Sequence, residues 1–318
     1  MEKDSTIILG VDVGGTKVCI GLVRSDGEVL QKLQYPMRYM AIADWTEQLK
    51  EKIAQLTGTS SSTQPFCGIG FAFRGIVDYQ SQILRSCSLL ALDAGFNLCA
   101  ELRRYYGVPV YIENDVKAAT IAEIQYGIGR KYPSFGCINV GTGLGLGIVC
   151  DGVLWHGSAN CAGEIGTCPL IRRDGNLDRL ENLVSGMGIG QEAQRRLARF
   201  PQSVLSKGDE IIDGRTVFSA LKKNDPLAKS VVDDFTYALA LQMANLESTL
   251  NLGHYVFIGS VASNSQFMSA LRTCLKKLTY PAFRWTASLN VTDIGAAEVG
   301  LKGAASLFLY SSGRIFHP

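Results

Sequence analysis

Short apolar runs that end in glycine or a polar turn set the rhythm of this chain. Thr6 to Val11, Val18 to Arg24 and Val29 to Gln34 have strand lengths and β-branched content, and Arg24-Ser25-Asp26-Gly27-Glu28 is a turn between the last two. The pattern predicts a three-strand meander rather than a strand–helix unit. Asp44 with Glu47 three residues on has capping-box spacing and predicts a helix over Trp45 to Leu56, followed by a polar loop from Thr57 to Gln64. Phe66 to Ala72 reads as a buried strand. Leu98, Leu102 and Tyr106 fall on one helical stripe, Val108 to Ile112 reads as a strand ending in Glu113-Asn114-Asp115, and Val116 to Gly127 as a helix. The small residues Ala118, Ala119 and Ala122 of that helix would permit close packing.

The pattern then repeats. Ile138 to Val140 leads into a glycine cluster, and Gly147 to Cys150 and Val153 to Trp155 flank Asp151-Gly152, a two-residue hairpin signal. Farther on, Asp213 to Lys223, Asp225 to Asn251 and Ser265 to Lys277 predict helices, Tyr255 to Ile258 predicts a strand ending at Gly259-Ser260, and Asp293 to Leu309 predicts a last helix. Two meanders, each with a glycine loop, argue for two related α/β lobes. The expected division is 1–115 and 116–299, with a C-terminal helix at about 300–318 completing the first lobe.

Composition narrows the classes. The 318 residues are 47% apolar, enough for two cores, and 31 basic against 29 acidic residues leave a net charge of +2. That balance gives no electrostatic footprint for nucleic acid or an anionic membrane. The charged start Met1-Glu2-Lys3-Asp4-Ser5 is unlike a secretory signal, so a cytoplasmic protein is expected. Tyr132 to Cys150 is uncharged but glycine-rich and reads as strand and loop, not a membrane helix. Nine cysteines, among them Cys19, Cys67, Cys99 and Cys274, lack metal or disulfide spacing and read as reduced small hydrophobes.

The candidate chemistry lies in the two glycine clusters, Gly10-Val11-Asp12-Val13-Gly14-Gly15-Thr16-Lys17 and Gly141-Thr142-Gly143-Leu144-Gly145-Leu146-Gly147. A strand ending in glycines lets backbone amides converge on an anion, so the pair suggests a nucleotide held between two lobes. Either cluster alone would be an ordinary tight turn.

The chain resembles the ROK (repressor, open reading frame, kinase) sugar kinases of the actin-like ATPase fold. The resemblance is carried by Asp12 to Lys17, Gly75-Ile76-Val77-Asp78, Glu113-Asn114-Asp115, Gly141 to Gly145, Ala162-Gly163-Glu164-Ile165-Gly166, Leu180-Glu181-Asn182-Leu183-Val184-Ser185-Gly186, Ile258-Gly259-Ser260 and Ile294-Gly295-Ala296-Ala297, in family order over nearly the whole chain. It implies two related actin-like (ribonuclease H-like) lobes with mixed sheets and an interlobe cleft. It also implies an ATP- and Mg²⁺-dependent transfer of a phosphoryl group to a hydroxyl of a hexose or related sugar, expected to be the 6-hydroxyl.

Relatives carry a histidine after the Gly-Glu-Ile-Gly segment and three cysteines that bind structural zinc. Here Thr167 and a single Cys168 stand in that region, so no zinc is expected and Pro169 to Leu180 must close by turn chemistry. Arg74 replaces the usual proline before Gly75, and Lys117 the usual asparagine after Asp115. Some relatives are repressors with a helix-turn-helix module, for which too little chain precedes Gly10; homodimers are common in the family.

On the resemblance, Asp115 is the general base, although an N-cap role would also suit it. Gly75, Asn114, Asp115, Glu164, Thr167 and Glu181 would bind the sugar; Glu164 alone would read as a solvated or capping residue. Asp12 would hold Mg²⁺ through water, or else stabilise its turn. Gly14, Gly15, Thr16, Lys17, Gly141, Thr142, Gly143, Gly145, Gly259 and Ser260 would contact the nucleotide, with Lys17 equally readable as an ordinary exposed lysine. His156, His254 and His317 receive no role. Two alternatives stay open: a non-catalytic sugar- or nucleotide-binding sensor, and an amino-sugar or cyclitol kinase.

Overall fold

The computed structural model describes residues 6–59, 64–172, 174–206, 211–279, 288–295 and 297–313. The middle of the expected 57–64 loop, Ala296 of the last motif and His317 lie outside the described residues. The meander is present as β1 (Ile7–Val13), β2 (Lys17–Arg24) and β3 (Val29–Pro36), antiparallel throughout. β4 (Ile69–Phe73) and β7 (Val110–Asn114) then add parallel to β1, giving the order β3-β2-β1-β4-β7. β5 (Ile76–Asp78) and β6 (Ile83–Ser86) form a separate hairpin.

A second sheet reads the same way. β8 (Phe135–Val140), β9 (Leu144–Cys150), β10 (Val153–Leu154), β13 (His254–Ile258) and β14 (Ser288–Val291) lie in the order β10-β9-β8-β13-β14, with β13 parallel to β8 and β14. The Asp151-Gly152 hairpin forms as expected, both residues at positive φ (51° and 79°). β11 (Pro169–Ile171) and β12 (Leu177–Arg179) make a further short hairpin.

Helices α1 (Ile42–Thr57), α2 (Leu98–Tyr106) and α3 (Asp115–Tyr126) lie in the first part of the chain. α4 (Gly186–Arg196), α5 (Gly214–Lys222), α6 (Pro226–Leu250), α7 (Ser265–Leu278) and α8 (Val299–Ser311) follow. Among the described residues no helix is long and apolar enough to cross a membrane. All nine cysteines are free, with Cys67 and Cys150 exposed rather than packed.

Two helix starts differ from expectation. α1 begins at Ile42 with Ala41 as N-cap and no side-chain cap; the Ile42 amide instead bonds the Ala91 carbonyl at 2.9 Å, and Asp44 sits in the first turn. The last helix begins at Val299 rather than Asp293, because Gly295 has φ +91° and Thr292 is bonded to Glu123.

The chain divides into two compact units. One contains the residues to Pro133, Gly147–Ala162 and those from Thr292 onward; the other contains Ser134–Leu146 and Gly163–Val291. α8 and α3 both belong to the first unit. The reason is packing. A Cβ on Gly303 would sit 2.5 Å from the Ala118 carbonyl oxygen of α3, and one on Gly10 would sit 2.6 Å from the Leu301 carbonyl oxygen of α8. Trp45 packs edge-on against Phe73 at 5.5 Å on the other side of the sheet, with Leu49 and Phe71 fully buried. In the second unit Phe218, Phe235 and Phe267 form the aromatic centre, the last pair at 5.3 Å.

Gly303→Ala should therefore cost about 1–3 kcal/mol through overpacking against backbone that cannot turn aside. A urea midpoint shifted downward with unchanged slope would show it.

Candidate functional site

Parallel strands deliver their following residues to one edge of the first sheet. The registers Val13↔Phe73 and Phe73↔Asn114 make Gly14, Arg74 and Asp115 the next residues off β1, β4 and β7. The carboxyl ends of parallel strands are where α/β sheets bind ligands. Asp12 stands one position inside β1, partly buried. Burial pushes its carboxyl up to about 6; the nearby Asp115 charge adds to that rise and Lys17 opposes it. Both acids are thus close enough to sense one another. A Cβ on Gly300 would overlap the Asp12 carboxylate, so the first turn of α8 abuts that acid.

Asp115 is the first residue of α3 and not its cap. Asn114 caps the helix, its Oδ1 accepting the amides of Val116 at 3.0 Å and Lys117 at 3.2 Å. Its Nδ2 donates to the Gly75 carbonyl at 3.0 Å. Both acceptor positions of that oxygen are occupied, which leaves Asn114 one side-chain N–H for any ligand. One Asp115 oxygen also accepts the Val116 amide at 3.0 Å. A carboxylate at a helix N-terminus is favoured in its charged form. Gly75 is demanded by packing, because a Cβ there would strike the Ser86 carbonyl.

The first glycine turn is only partly available. The Gly14 amide is spent on the Lys17 carbonyl at 3.0 Å, whereas among the described residues Gly15 and Thr16 amides have no backbone acceptor. Gly15, Thr16 and Lys17 are exposed.

The second unit gathers the remaining candidates. Gly141 and Gly259 follow β8 and β13, adjacent and parallel with Ile258 opposite Asn139. Gly259 has φ +90°, and a Cβ there would meet the Val140 carbonyl at 2.5 Å. Exposed Ser260 comes next. Gly141 donates to the Gly143 carbonyl at 3.0 Å, leaving the Thr142 and Gly143 amides without backbone acceptors among the described residues. Gly145 lies inside β9 and not in the loop.

Glu181 accepts the Leu144 amide at 2.9 Å, which ties it to the exit of that loop. Glu164 and Thr167 are exposed, with Thr167 Oγ1 donating to the Glu164 carbonyl at 2.7 Å. The hairpin β11–β12 closes the segment after Thr167 through Arg172, which pairs with Asp178 and Glu192. At its turn the Asn176 amide bonds Asp174 at 3.1 Å.

Sequence reasoning missed three contacts. Glu113 is only 1% exposed and its Oε2 lies 2.8 Å from His156 Nε2, whose ring stacks on Tyr79 at 4.1 Å. Lys117 is 2% exposed and its Nζ donates to the Asn160 carbonyl. Arg74 reaches over to Gly15. Each spans 43 to 59 positions, read from the residue numbers, so no local pattern announces it.

The ROK family model matches residues 8–310. A glucokinase of Halalkalibacterium halodurans is 30% identical over 305 residues, 90% of each chain. An N-acetylmannosamine kinase of Haemophilus influenzae is 27% identical over 93% of each. Among solved structures, a ROK family glucokinase from Streptomyces griseus in complex with glucose and AMPPNP superposes with TM-score 0.75 at 25% identity, covering 95% of this chain and 98% of that one.

The raised Asp12 value fixes a sign. The folded protein holds that proton to a higher pH than the unfolded chain, so stability falls as pH rises from about 4 to about 6. Asp12→Asn should accordingly gain on the order of 3 kcal/mol over the parent above pH 6 and nothing below pH 4. Urea titrations at the two pH values check it.

Proposed function

The chain belongs to the ROK family and is a sugar kinase with the actin-like ATPase fold, and from that premise we propose that it moves the γ-phosphoryl group of ATP to the 6-hydroxyl of a hexose with Asp115 as general base. The observation that carries this reading is the pair Asp12 and Asp115 at the carboxyl edge of three parallel strands, close enough to couple electrostatically.

Phosphoryl transfer depends on alignment and charge neutralisation more than on covalent chemistry. Asp115 accepts the hydroxyl proton as the sugar oxygen attacks; a loose transition state releases that proton late, so a modest base suffices. Gly15 and Thr16 amides contact phosphate oxygens from the first unit, with Lys17 adding charge. Thr142, Gly143, Gly259 and Ser260 are further nucleotide contacts in this reading. The remaining N–H of Asn114, together with Glu164 and Thr167, addresses sugar hydroxyls, while Gly75 and Glu181 act chiefly by holding Asn114 and the second glycine loop.

The acids fit a hard divalent ion, since both offer oxygen donors and the burial of Asp12 is relieved by a positive charge. Asp12 would hold Mg²⁺, and the ion would supply neutralisation of phosphate charge.

Incubation with ATP, Mg²⁺ and a panel of glucose, mannose, fructose, N-acetylmannosamine, amino sugars and cyclitols should release ADP with at least one hexose and give a primary phosphate ester by ³¹P NMR. Asp115→Asn should lower turnover by about 10²- to 10⁴-fold while sugar binding persists. Silence of the parent protein across the panel, with binding retained, would instead support a sensor.

A further inference from the structure

Arg74 makes no hydrogen bond and no ion pair among the described residues, yet it is not a free surface side chain. It is partly buried, and its Nη1 lies 3.3 Å from the position a Cβ of Gly15 would take. The guanidinium therefore reaches the first glycine turn. It leaves β4 at the register where Gly14 leaves β1 and Asp115 leaves β7, in the middle of the three. The Cys87 thiol senses Arg74 and Asp115 with opposite sign, which sets both charges around one point. Arg85, nearby in sequence, is by contrast committed to Asp78 at 2.6 Å.

Holding a long cation over a turn costs side-chain entropy, and five N–H donors in a planar fork need acceptors. Among the described residues no protein acceptor meets them. The turn beneath offers the Gly15 and Thr16 amides, donors themselves, so an anion with several oxygens would satisfy both at once.

We propose that Arg74 is a catalytic residue whose guanidinium grips the equatorial oxygens of the phosphoryl group in flight. This rests on the kinase reading and deepens it. In the step, the sugar O–H proton passes to Asp115, the sugar oxygen bonds to the γ-phosphorus, and the bond from that phosphorus to the β,γ-bridging oxygen breaks. ADP leaves with the electron pair, and Arg74 keeps all its protons. Charge concentrated on the transferring group is what a fixed guanidinium stabilises more strongly in the transition state than in bound ATP.

The test uses the full chain and the variants Arg74→Ala, Arg74→Gln and Arg74→Lys, each first shown to melt like the parent. Calorimetry measures MgADP binding with and without aluminium fluoride, a planar stand-in for the phosphoryl group. In the parent, aluminium fluoride should tighten MgADP. In Arg74→Ala and Arg74→Gln, MgADP affinity should stay within about twofold while that tightening falls at least tenfold, and kcat should drop about 10²- to 10³-fold with sugar KM little changed. Arg74→Lys should recover only part, lacking the fork.

An Arg74→Ala protein that keeps the tightening, or keeps kcat within threefold, overturns the proposal. So does one whose sugar KM rises at unchanged kcat, which would make Arg74 an acceptor-binding group. Parent protein that turns over no sugar refutes the kinase reading. The fluoride comparison still decides whether Arg74 meets a phosphoryl group.

Discussion

Everything in the first unit depends on how closely α8 lies against its sheet. Gly10 and Gly70 on the strands and Gly303 on the helix stand where a methyl group would meet backbone carbonyls of Leu301, Ala304 and Ala118. Such approach trades side-chain volume for backbone contact. Leu301, Ala304, Ala305 and Leu307 are buried as a result, each larger side chain contributing about 1.5–3 kcal/mol relative to exposure. The same closeness brings the first turn of α8 onto the Asp12 carboxylate, and lodges α3, with Asp115 at its head, on the other side of α8. Packing and chemistry are therefore set by one spacing.

That spacing also shapes the electrostatics. Asp12, in β1, abuts the first turn of α8, yet burial and the nearby Asp115 charge still raise its carboxyl to about 6. Lys17 already opposes that rise, and Arg74 reaches the adjoining glycine turn, so the cations nearest these acids come from β2 and the end of β4.

Much of this was legible in the residues. The two meanders, the Asp151-Gly152 hairpin and the span of α2 follow from local pattern and turn chemistry, because alternation and positive φ act over a few positions. The family resemblance rested on glycines and acids at strand ends. What escaped was non-local or locally contradictory. α4 carries Gly186, Gly188 and Gly190, which argue against a helix; each is needed because backbone at Gly141, Asn182 and Ile212 passes within 2.5–2.9 Å of where a Cβ would be. Asn114 and Gly75 were read as ligand groups, and their hydrogen bond to one another could not be foreseen across 39 positions. The pairing of His156 with Glu113 is hidden for the same reason.

The first unit is assembled from three separate stretches of chain, and the helix that closes it is the last element described. During synthesis on the ribosome, β1 to β7 emerge first but wait, their bare glycines still facing water, while the entire second unit is made. The second unit has its own aromatic centre and can collapse as soon as α7 and β14 are out. Closure of the first unit therefore waits for α8, so a ribosome that stalls shortly before Val299 leaves that unit without the helix that covers its sheet.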